Sequence, residues 1–393
     1  MPPWPPNPFL YDRPLGPPDI IDREVEVELL LGLADSGQSA RLTAPRRYGK
    51  TTLLKKVVEE ADKLGLATVY VDLDRVISLE MVSERVERAY REQLQGTLRR
   101  TVANVVRTLG PRVAVGGPGA RAEIAPKVEA DARRVLERML DLPVDIYRRN
   151  GKRTLVVLDE FQDVLRAGAK IEGLIRSHIQ HQVDEAAYVF AGSHPGLMLA
   201  LFSDRERPLF GQARPVRLDP LHPAALGDYV ERHFEETGRD PGEALEHLLS
   251  LARGHPQRAM LLAHHLWEAT SEGGTADLEA WARAVEAVER ELEEGFNRTW
   301  DRLGKNEARV LAALAGSDES LFHQRTLVHF GLTKSGAEHG RDKLLEFGEI
   351  ERTPEGRVTI VDPLFERWVR QWQTGRLHRG FRVGVSRMGI DPL

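Results

Sequence analysis

Ala44-Pro45-Arg46-Arg47-Tyr48-Gly49-Lys50-Thr51-Thr52 stands between a short β-prone run, Ala40 to Thr43, and a helical periodicity that begins near Lys50. Glycine, lysine and threonine in succession at a strand-to-helix turn form the pattern of a phosphate-binding loop. Backbone N–H groups at such a turn attract phosphate oxygens, and an ammonium beside them neutralises the β- and γ-phosphates. On this reading Ala44 through Thr52 cradle the phosphates, Lys50 supplies the ammonium, and the Thr51 hydroxyl is offered to Mg2+. Ala44 occupies the position of the pattern's first glycine, so the backbone there must adopt a conformation that tolerates a methyl group. The competing reading is a chance Gly-Lys-Thr in a loop, and the flanking strand and helix weigh against it.

Working outward, short apolar β-rich runs alternate with helical periodicity, which is the pattern of a parallel sheet covered by helices. Strands are expected at Ala40–Thr43, Ala67–Asp72, Thr154–Leu158, Ala187–Ala191 and Pro215–Leu218, giving an α/β fold with a five-stranded parallel sheet. The third run, Thr154-Leu155-Val156-Val157-Leu158, ends in Asp159-Glu160, which places two carboxylates at the C-terminal edge of the sheet, where open α/β folds bind ligands. This matches a Walker B motif. Asp159 is then expected to hold magnesium and Glu160 to polarise the water that attacks the γ-phosphate. The plainer alternative is a pair of acids capping the next helix.

The fourth run ends in Gly192-Ser193-His194, so Ser193 or His194 is a candidate γ-phosphate sensor, against a simple turn with a surface histidine. Arg205, Arg207 and Arg214 follow, and a guanidinium offered to a neighbouring subunit's γ-phosphate acts as an arginine finger; Arg214 is the leading candidate, ordinary surface arginines the alternative. Further on, Gly254-His255-Pro256-Gln257-Arg258 opens a helix and could bring Pro256 and Arg258 against a nucleotide, or be a plain helix start.

A chain of 393 residues exceeds the usual size of one domain, and 41% hydrophobic with 29% charged residues is the composition of a folded globular protein. Five segments are expected: a Pro-rich arm at 1–20, a phosphate-binding core at 21–218, a helical lid at 219–298, a three-helix and hairpin module at 299–372, and a basic tail at 373–393. Pro2, Pro3, Pro5, Pro6, Pro8, Pro14, Pro17 and Pro18 keep the arm extended, either docked on a partner or lying on its own domain. A Gly/Pro-rich stretch, Leu109 to Ala120, reads as an excursion between the second and third strands. The lid is expected to close in the acidic run Glu289 to Glu294. The absence of cysteine excludes disulfides and thiolate chemistry and, with no span of apolar residues long enough for a bilayer, fits the cytoplasm and no membrane.

In the last module, helices at Asn306–Ala315, His323–Phe330 and Lys334–Phe347, followed by short strands around Thr353-Pro354-Glu355-Gly356, suggest a winged helix-turn-helix. Its third helix mixes Lys334, His339, Arg341 and Lys343 with Glu338, Asp342 and Glu346, a poor phosphate-binding face. Arg352 and Arg357 in the wing, with Arg376, His378, Arg379, Arg382 and Arg387 in the tail, would supply the attraction if double-stranded DNA binds. Protein contact is the alternative use of the module, and a net charge of −5 favours neither.

These motifs in this order make the chain resemble the archaeal-type ATPases, relatives of the origin-recognition and STAND branches of the AAA+ P-loop class, over about residues 20 to 370. The resemblance rests on Ile21-Asp22-Arg23-Glu24, the Arg46 to Thr51 loop, Leu158-Asp159-Glu160-Phe161, Gly192-Ser193, Pro208-Leu209-Phe210-Gly211-Gln212-Ala213, Gly254-His255-Pro256 and Asp362-Pro363-Leu364-Phe365-Glu366-Arg367-Trp368. It implies an AAA+ ATPase core, a helical lid and a C-terminal winged helix, ATP in preference to GTP, and a place near the adenine for Asp22 and Arg23. His194 departs from relatives that often carry arginine there. The expected function is an ATPase that couples Mg-ATP binding and hydrolysis to conformational change, on DNA or within a homo-oligomer. Its alternative is a nucleotide-gated switch with little turnover that signals to a protein or DNA partner, and a regulator with a vestigial site is disfavoured by intact Lys50, Thr51, Asp159 and Glu160.

Overall fold

A computed structural model describes residues 6–16, 20–108, 121–168, 170–353 and 356–373. The Leu109–Ala120 stretch, the basic tail from 374 and Pro354-Glu355 lie outside the described residues. The chain forms two compact units, one of Gly16–Ala44 with Lys50–Leu218, the other of Met1–Leu15, Pro45–Gly49 and Asp219–Leu393.

The first of these is the α/β unit. Its elements run α1 (Glu24–Asp35), β1 (Ala40–Thr43), α2 (Lys50–Lys63), β2 (Ala67–Asp72), α3 (Leu79–Gln93), α4 (Gly96–Thr108), α5 (Arg121–Leu140) and α6 (Leu142–Asn150). They continue through β3 (Thr154–Asp159), α7 (Val164–Ala167), α8 (Lys170–Ile179), β4 (Ala186–Gly192), α9 (Pro195–Ser203) and β5 (Arg214–Arg217). The five strands form one sheet in the order β2-β3-β4-β1-β5, and every pairing is parallel. This is the expected α/β fold with a five-stranded parallel sheet.

Burial follows strand position. β3 and β4, in the interior of the sheet with helices on both faces, are buried at every residue, whereas β5 at the edge buries only Val216. Pro215 sits on that edge, where its missing N–H costs no ladder bond to a further strand. β5 begins one residue before the expected Pro215, because the Arg214 N–H donates to Ser39 O at 2.8 Å and starts the ladder opposite Ala40. β2, β3 and β4 carry the main apolar core together with α3, α5, α8 and α9, through Val69, Val71, Val156, Leu158, Tyr188 and Phe190.

The second unit is helical: α10 (Pro223–Glu236), α11 (Ala244–Ala252), α12 (Pro256–Ala269), α13 (Leu278–Asp301), α14 (Lys305–Gly316), α15 (Gln324–His329) and α16 (Lys334–Phe347). An antiparallel hairpin of β6 (Ile350–Arg352) and β7 (Val358–Ile360) follows, then α17 (Pro363–Gln373). The acidic run Glu289–Glu294 does not end its helix. α13 continues to Asp301 because Phe296 and Trp300 beyond the run are buried, with Phe296 5.1 Å from Phe365 and Trp300 5.8 Å from Trp368 between ring centroids. Trp300 therefore lies in the last turn of α13 and opens no new element.

Of the arm, residues 6–16 are described; they form no helix or strand, and Asn7 and Phe9 lie on this unit. Phe9 is fully buried with its ring 5.4 Å from that of Phe234, Asn7 donates to His264 O at 3.0 Å, and His264 Nδ1 meets Phe9 O at 2.8 Å.

Candidate functional site

α2 starts at Lys50, and its first turn holds no acidic residue. A cation there opposes the positive end of the helix dipole, so the sequence gives up helix stability to put an ammonium at this point. Lys50 is also buried, at 6% exposure. A buried ammonium needs compensating charge. It finds that charge in the acids at the end of β3: Nζ donates to Asp159 Oδ1 and, at 2.8 Å, to Glu160 Oε1. The Thr51 hydroxyl lies 3.4 Å from Asp159 Oδ2.

β3 fixes Asp159 as its last residue, and the chain then turns sharply. Glu160 takes a left-handed backbone conformation, φ 51° and ψ 39°, which side chains other than glycine enter only at a cost. The turn aims its carboxylate back at Lys50. Oε2 of Glu160 accepts from Gln162 Nε2 at 2.6 Å and from Ser193 Oγ at 2.7 Å, and Ser193 Oγ lies 3.2 Å from His194 Nδ1. Burial alone would raise the Glu160 carboxyl, but the Lys50 charge and the hydrogen bonds from Lys50, Gln162 and Ser193 reverse this and lower it to about 2. Tyr70 on β2 completes the cluster, donating to Asp159 Oδ2 at 2.5 Å. Burial, and then the charge of Asp159, push its phenol well above the ordinary value, so it remains a donor.

The loop ahead of Lys50 is shaped by its backbone. Arg47 and Gly49 are left-handed, with φ 67° and 81°. Ala44 is fully buried, stays outside that region and donates its N–H to Gly192 O at 3.3 Å, so the methyl group is accommodated. Pro45 and Tyr48 are buried, while Arg46 and Arg47 are exposed and Gly49 is half-buried. Tyr48 stands edge-on to His255, with ring centroids 4.8 Å apart. Thr52 is buried on α2.

Lys50, Thr51, Asp159, Glu160, Ser193 and His194 therefore converge, as the sequence suggested. Others stand apart from that cluster. Arg214 is exposed at the N-terminal end of β5, paired with the first residue of β1, whereas Asp159 is at the C-terminal end of β3; the two lie at opposite edges of the sheet. Arg207 is committed to Glu172 at 2.6 Å and Arg205 is exposed. Pro256 is the first residue of α12, and Arg258 is buried with its guanidinium on Asp362, Nε lying 3.0 and 2.9 Å from the two carboxylate oxygens. Arg258 thus has a partner other than a nucleotide. Arg23 is buried and pairs with Glu26 at 3.3 Å, next to Asp22, which is left-handed at φ 51°.

Two members of the cluster, Tyr70 and Gln162, were not legible as such, nor was the pairing of Asp362 with Arg258. Gln162 left one signal, a polar residue that follows the acid pair and is buried at 3% exposure. Asp362 holds its place by pairing. Burial would raise its carboxyl, but the Arg258 charge and hydrogen bonds hold it below the usual carboxylate range. His255, buried at the start of α12, is also lowered, its imidazole brought to about 4, chiefly by burial.

The profile of a family described as an ATPase domain predominantly from Archaea matches residues 20–262, which include the α/β unit from Ile20 and the first helices of the second unit. The chain belongs to this family. Among solved structures the ATPase resembles a Walker-type ATPase of Pyrococcus abyssi, at 17% identity and a TM-score of 0.65, over 91% of this chain and 99% of that one. It also resembles the ORC2 protein of Aeropyrum pernix, solved as ADPNP-ADP complexes, at 18% identity and a TM-score of 0.54, over 93% and 98% of the two chains. At these identities the likeness is one of fold, and it extends over at least 91% of each chain. No curated protein sequence matches the chain significantly. Among the described residues, no helix is long and apolar enough to cross a membrane.

The chemistry of the cluster fits a magnesium nucleotide. Thr51 and Asp159 offer hard oxygen donors of the kind Mg2+ takes, and the Lys50 ammonium stands beside them with a charge that suits phosphate.

Proposed function

We propose that this member of the archaeal ATPase family binds and hydrolyses Mg-ATP, with residues 44–52 as the phosphate loop. The observation that carries this reading is the convergence of Lys50, at the N-terminus of α2, on the carboxylates of Asp159 and Glu160 at the end of β3. Bound magnesium would neutralise charge on the β- and γ-phosphates, held by Thr51 and through the water shell of Asp159. Lys50 exchanges its carboxylate partners for phosphate oxygens. Glu160, freed from the ammonium but still held by Gln162 and Ser193, turns one oxygen to a water and accepts its proton. Ser193 and its neighbour His194 register the γ-phosphate through Glu160 and each other. Asp22 and Arg23 are assigned to the adenine side by family likeness.

Helices α14 to α16, the β6-β7 hairpin and α17 follow the order of a winged helix-turn-helix, through which the ATPase would act on double-stranded DNA. The wing offers Arg352 and Arg357. A second reading, a nucleotide-gated switch that contacts a protein, is favoured by the charges on α16: Arg341 pairs with Asp342 at 2.7 Å and Lys343 with Glu307 at 3.4 Å, leaving that helix little net attraction for a phosphate backbone.

Steady-state phosphate release with and without duplex DNA, on the parent and Lys50→Ala, tests the first reading. The expected result is turnover in the parent that the substitution abolishes, with a further change on DNA. A parent that holds ATP tightly without releasing phosphate supports the switch. A filter-binding salt titration with no DNA affinity even at low salt would sink the DNA contact.

A further inference from the structure

Gln162 is an expensive residue in its place. Its side chain is buried at 3% exposure, and its amide oxygen, Oε1, has no hydrogen-bond partner. Buried acceptors are rarely left unpaired, and an exception calls for a reason. The amide is wedged into this position: a Cβ added at Gly192 would meet Gln162 Oε1 at 2.5 Å and Met198 Cγ at 2.5 Å. Only glycine at 192 leaves room for it. With its oxygen held against the end of β4, the amide points its nitrogen at Glu160 Oε2, 2.6 Å away. Turning the amide over would set its oxygen against a carboxylate, so the network itself fixes the orientation.

Glu160 needs such a restraint. Its left-handed backbone at φ 51° aims the side chain, but a glutamate carries three further rotatable bonds, and Lys50 is the partner that phosphate would take away. Ser193 Oγ, at 2.7 Å, is a single rotatable hydroxyl shared with His194 Nδ1. Gln162 is the donor that neither rotates freely nor has another acceptor.

We propose that Gln162 is the positioning residue of Glu160, an amide wedged between Gly192 and the carboxylate that keeps Oε2 fixed so that Oε1 is presented to the attacking water once Lys50 turns to phosphate. This deepens the hydrolytic reading above and rests on it. The amide does not touch substrate. It acts through Glu160, so its loss reduces turnover and leaves nucleotide affinity intact.

The test uses the full chain with Gln162→Met, which keeps length and burial but removes the donor, and Gly192→Ala, which displaces the amide without altering it. Both are expected to lower kcat roughly 10- to 100-fold, the scale of a small misplacement of a catalytic group. The dissociation constant of Mg-ADP is expected to change less than about twofold. In Glu160→Gln, adding Gln162→Met is expected to lower turnover no further. A kcat unchanged in Gln162→Met while the parent hydrolyses ATP overturns the inference and spares the function. An equal loss of kcat and affinity overturns it in favour of a packing role. A parent that releases no phosphate overturns the hydrolytic reading instead, and the wedge is then judged on the unliganded chain by denaturant unfolding of Glu160→Ala, Gln162→Met and the double variant. Losses that are not additive support the Gln162–Glu160 contact, and additive losses overturn it.

Discussion

Two buried ion-pair clusters, one in each unit, are built from opposite chemistry. In the α/β unit a lysine faces two carboxylates, with Tyr70, Gln162 and Ser193 as further donors to them. In the helical unit an arginine grips one carboxylate: Arg258 Nε and Nη2 reach both oxygens of Asp362, which also accepts the N–H groups of Leu364 at 3.0 Å and Phe365 at 3.3 Å and so caps α17. An ammonium is a compact point charge on a flexible stem, able to change partners, whereas a guanidinium fork is a fixed bidentate clasp. The first cluster has an excess of negative charge and donors aimed at carboxylates. It is suited to receive a cation and give up its lysine. The second sets one cation against one carboxylate, joining the start of α12 to the start of α17 within one unit.

If that contrast holds, the two clusters break differently. Arg258→Met and Asp362→Leu should each destabilise the protein by roughly 3–5 kcal/mol, since each leaves a buried charge without its partner. The double variant should recover most of that loss, because an apolar pair can replace a closed ion pair. Denaturant midpoints decide it, and a double variant no better than the singles would contradict the clasp. Lys50→Met should weaken Mg-nucleotide binding by about 30- to 4000-fold, the 2–5 kcal/mol expected from removing one member of a buried charge pair, as read by titration calorimetry. An unchanged affinity would remove Lys50 from the site.

A pH effect belongs to the helical unit. The folded protein holds His255 neutral down to about 4, against 6.5 for the free side chain. The unfolded chain therefore takes up the proton first, and stability is lost as pH falls from about 6.5 to about 4. The shift corresponds to roughly 3 kcal/mol across that window. His255→Gln should flatten the dependence of unfolding free energy on pH between 7 and 4, and a slope equal to the parent's would contradict this. The smallest effect is expected at the sheet edge: Arg214→Ala should alter phosphate release by less than about twofold, since exposed side chains outside a site change little. Turnover per subunit that rises with protein concentration in the parent and no longer does so in the variant would make Arg214 a finger between copies.

The strands of the sheet were legible because buried parallel strands read as apolar runs, and β1 and β2 take the bounds that periodicity gives them. Lys50, Asp159 and Glu160 were legible for another reason: a helix start and a strand end fix their directions, so order in the chain translates into position at the sheet edge. Tyr70 and Gln162 were hidden because their roles depend on register and on a wedge against Gly192, which no spacing records. Arg258 is a different case. Its place at a helix start suggested a nucleotide contact, but the partner, Asp362, lies more than a hundred residues further along the chain. The end of α13 was misplaced because acidic residues suggest a boundary, while burial of Phe296 and Trp300 carries the helix through it.

The account turns on Glu160 as the residue that activates water in a site that binds nucleotide without it. Steady-state phosphate release and Mg-ATP affinity measured together on the parent and Glu160→Gln test this most directly. Affinity should be retained within about threefold while turnover falls at least about 100-fold, the scale of losing a general base. Equal turnover in the two proteins would contradict the assignment of Glu160 and, with it, the mechanism built on the Lys50 cluster.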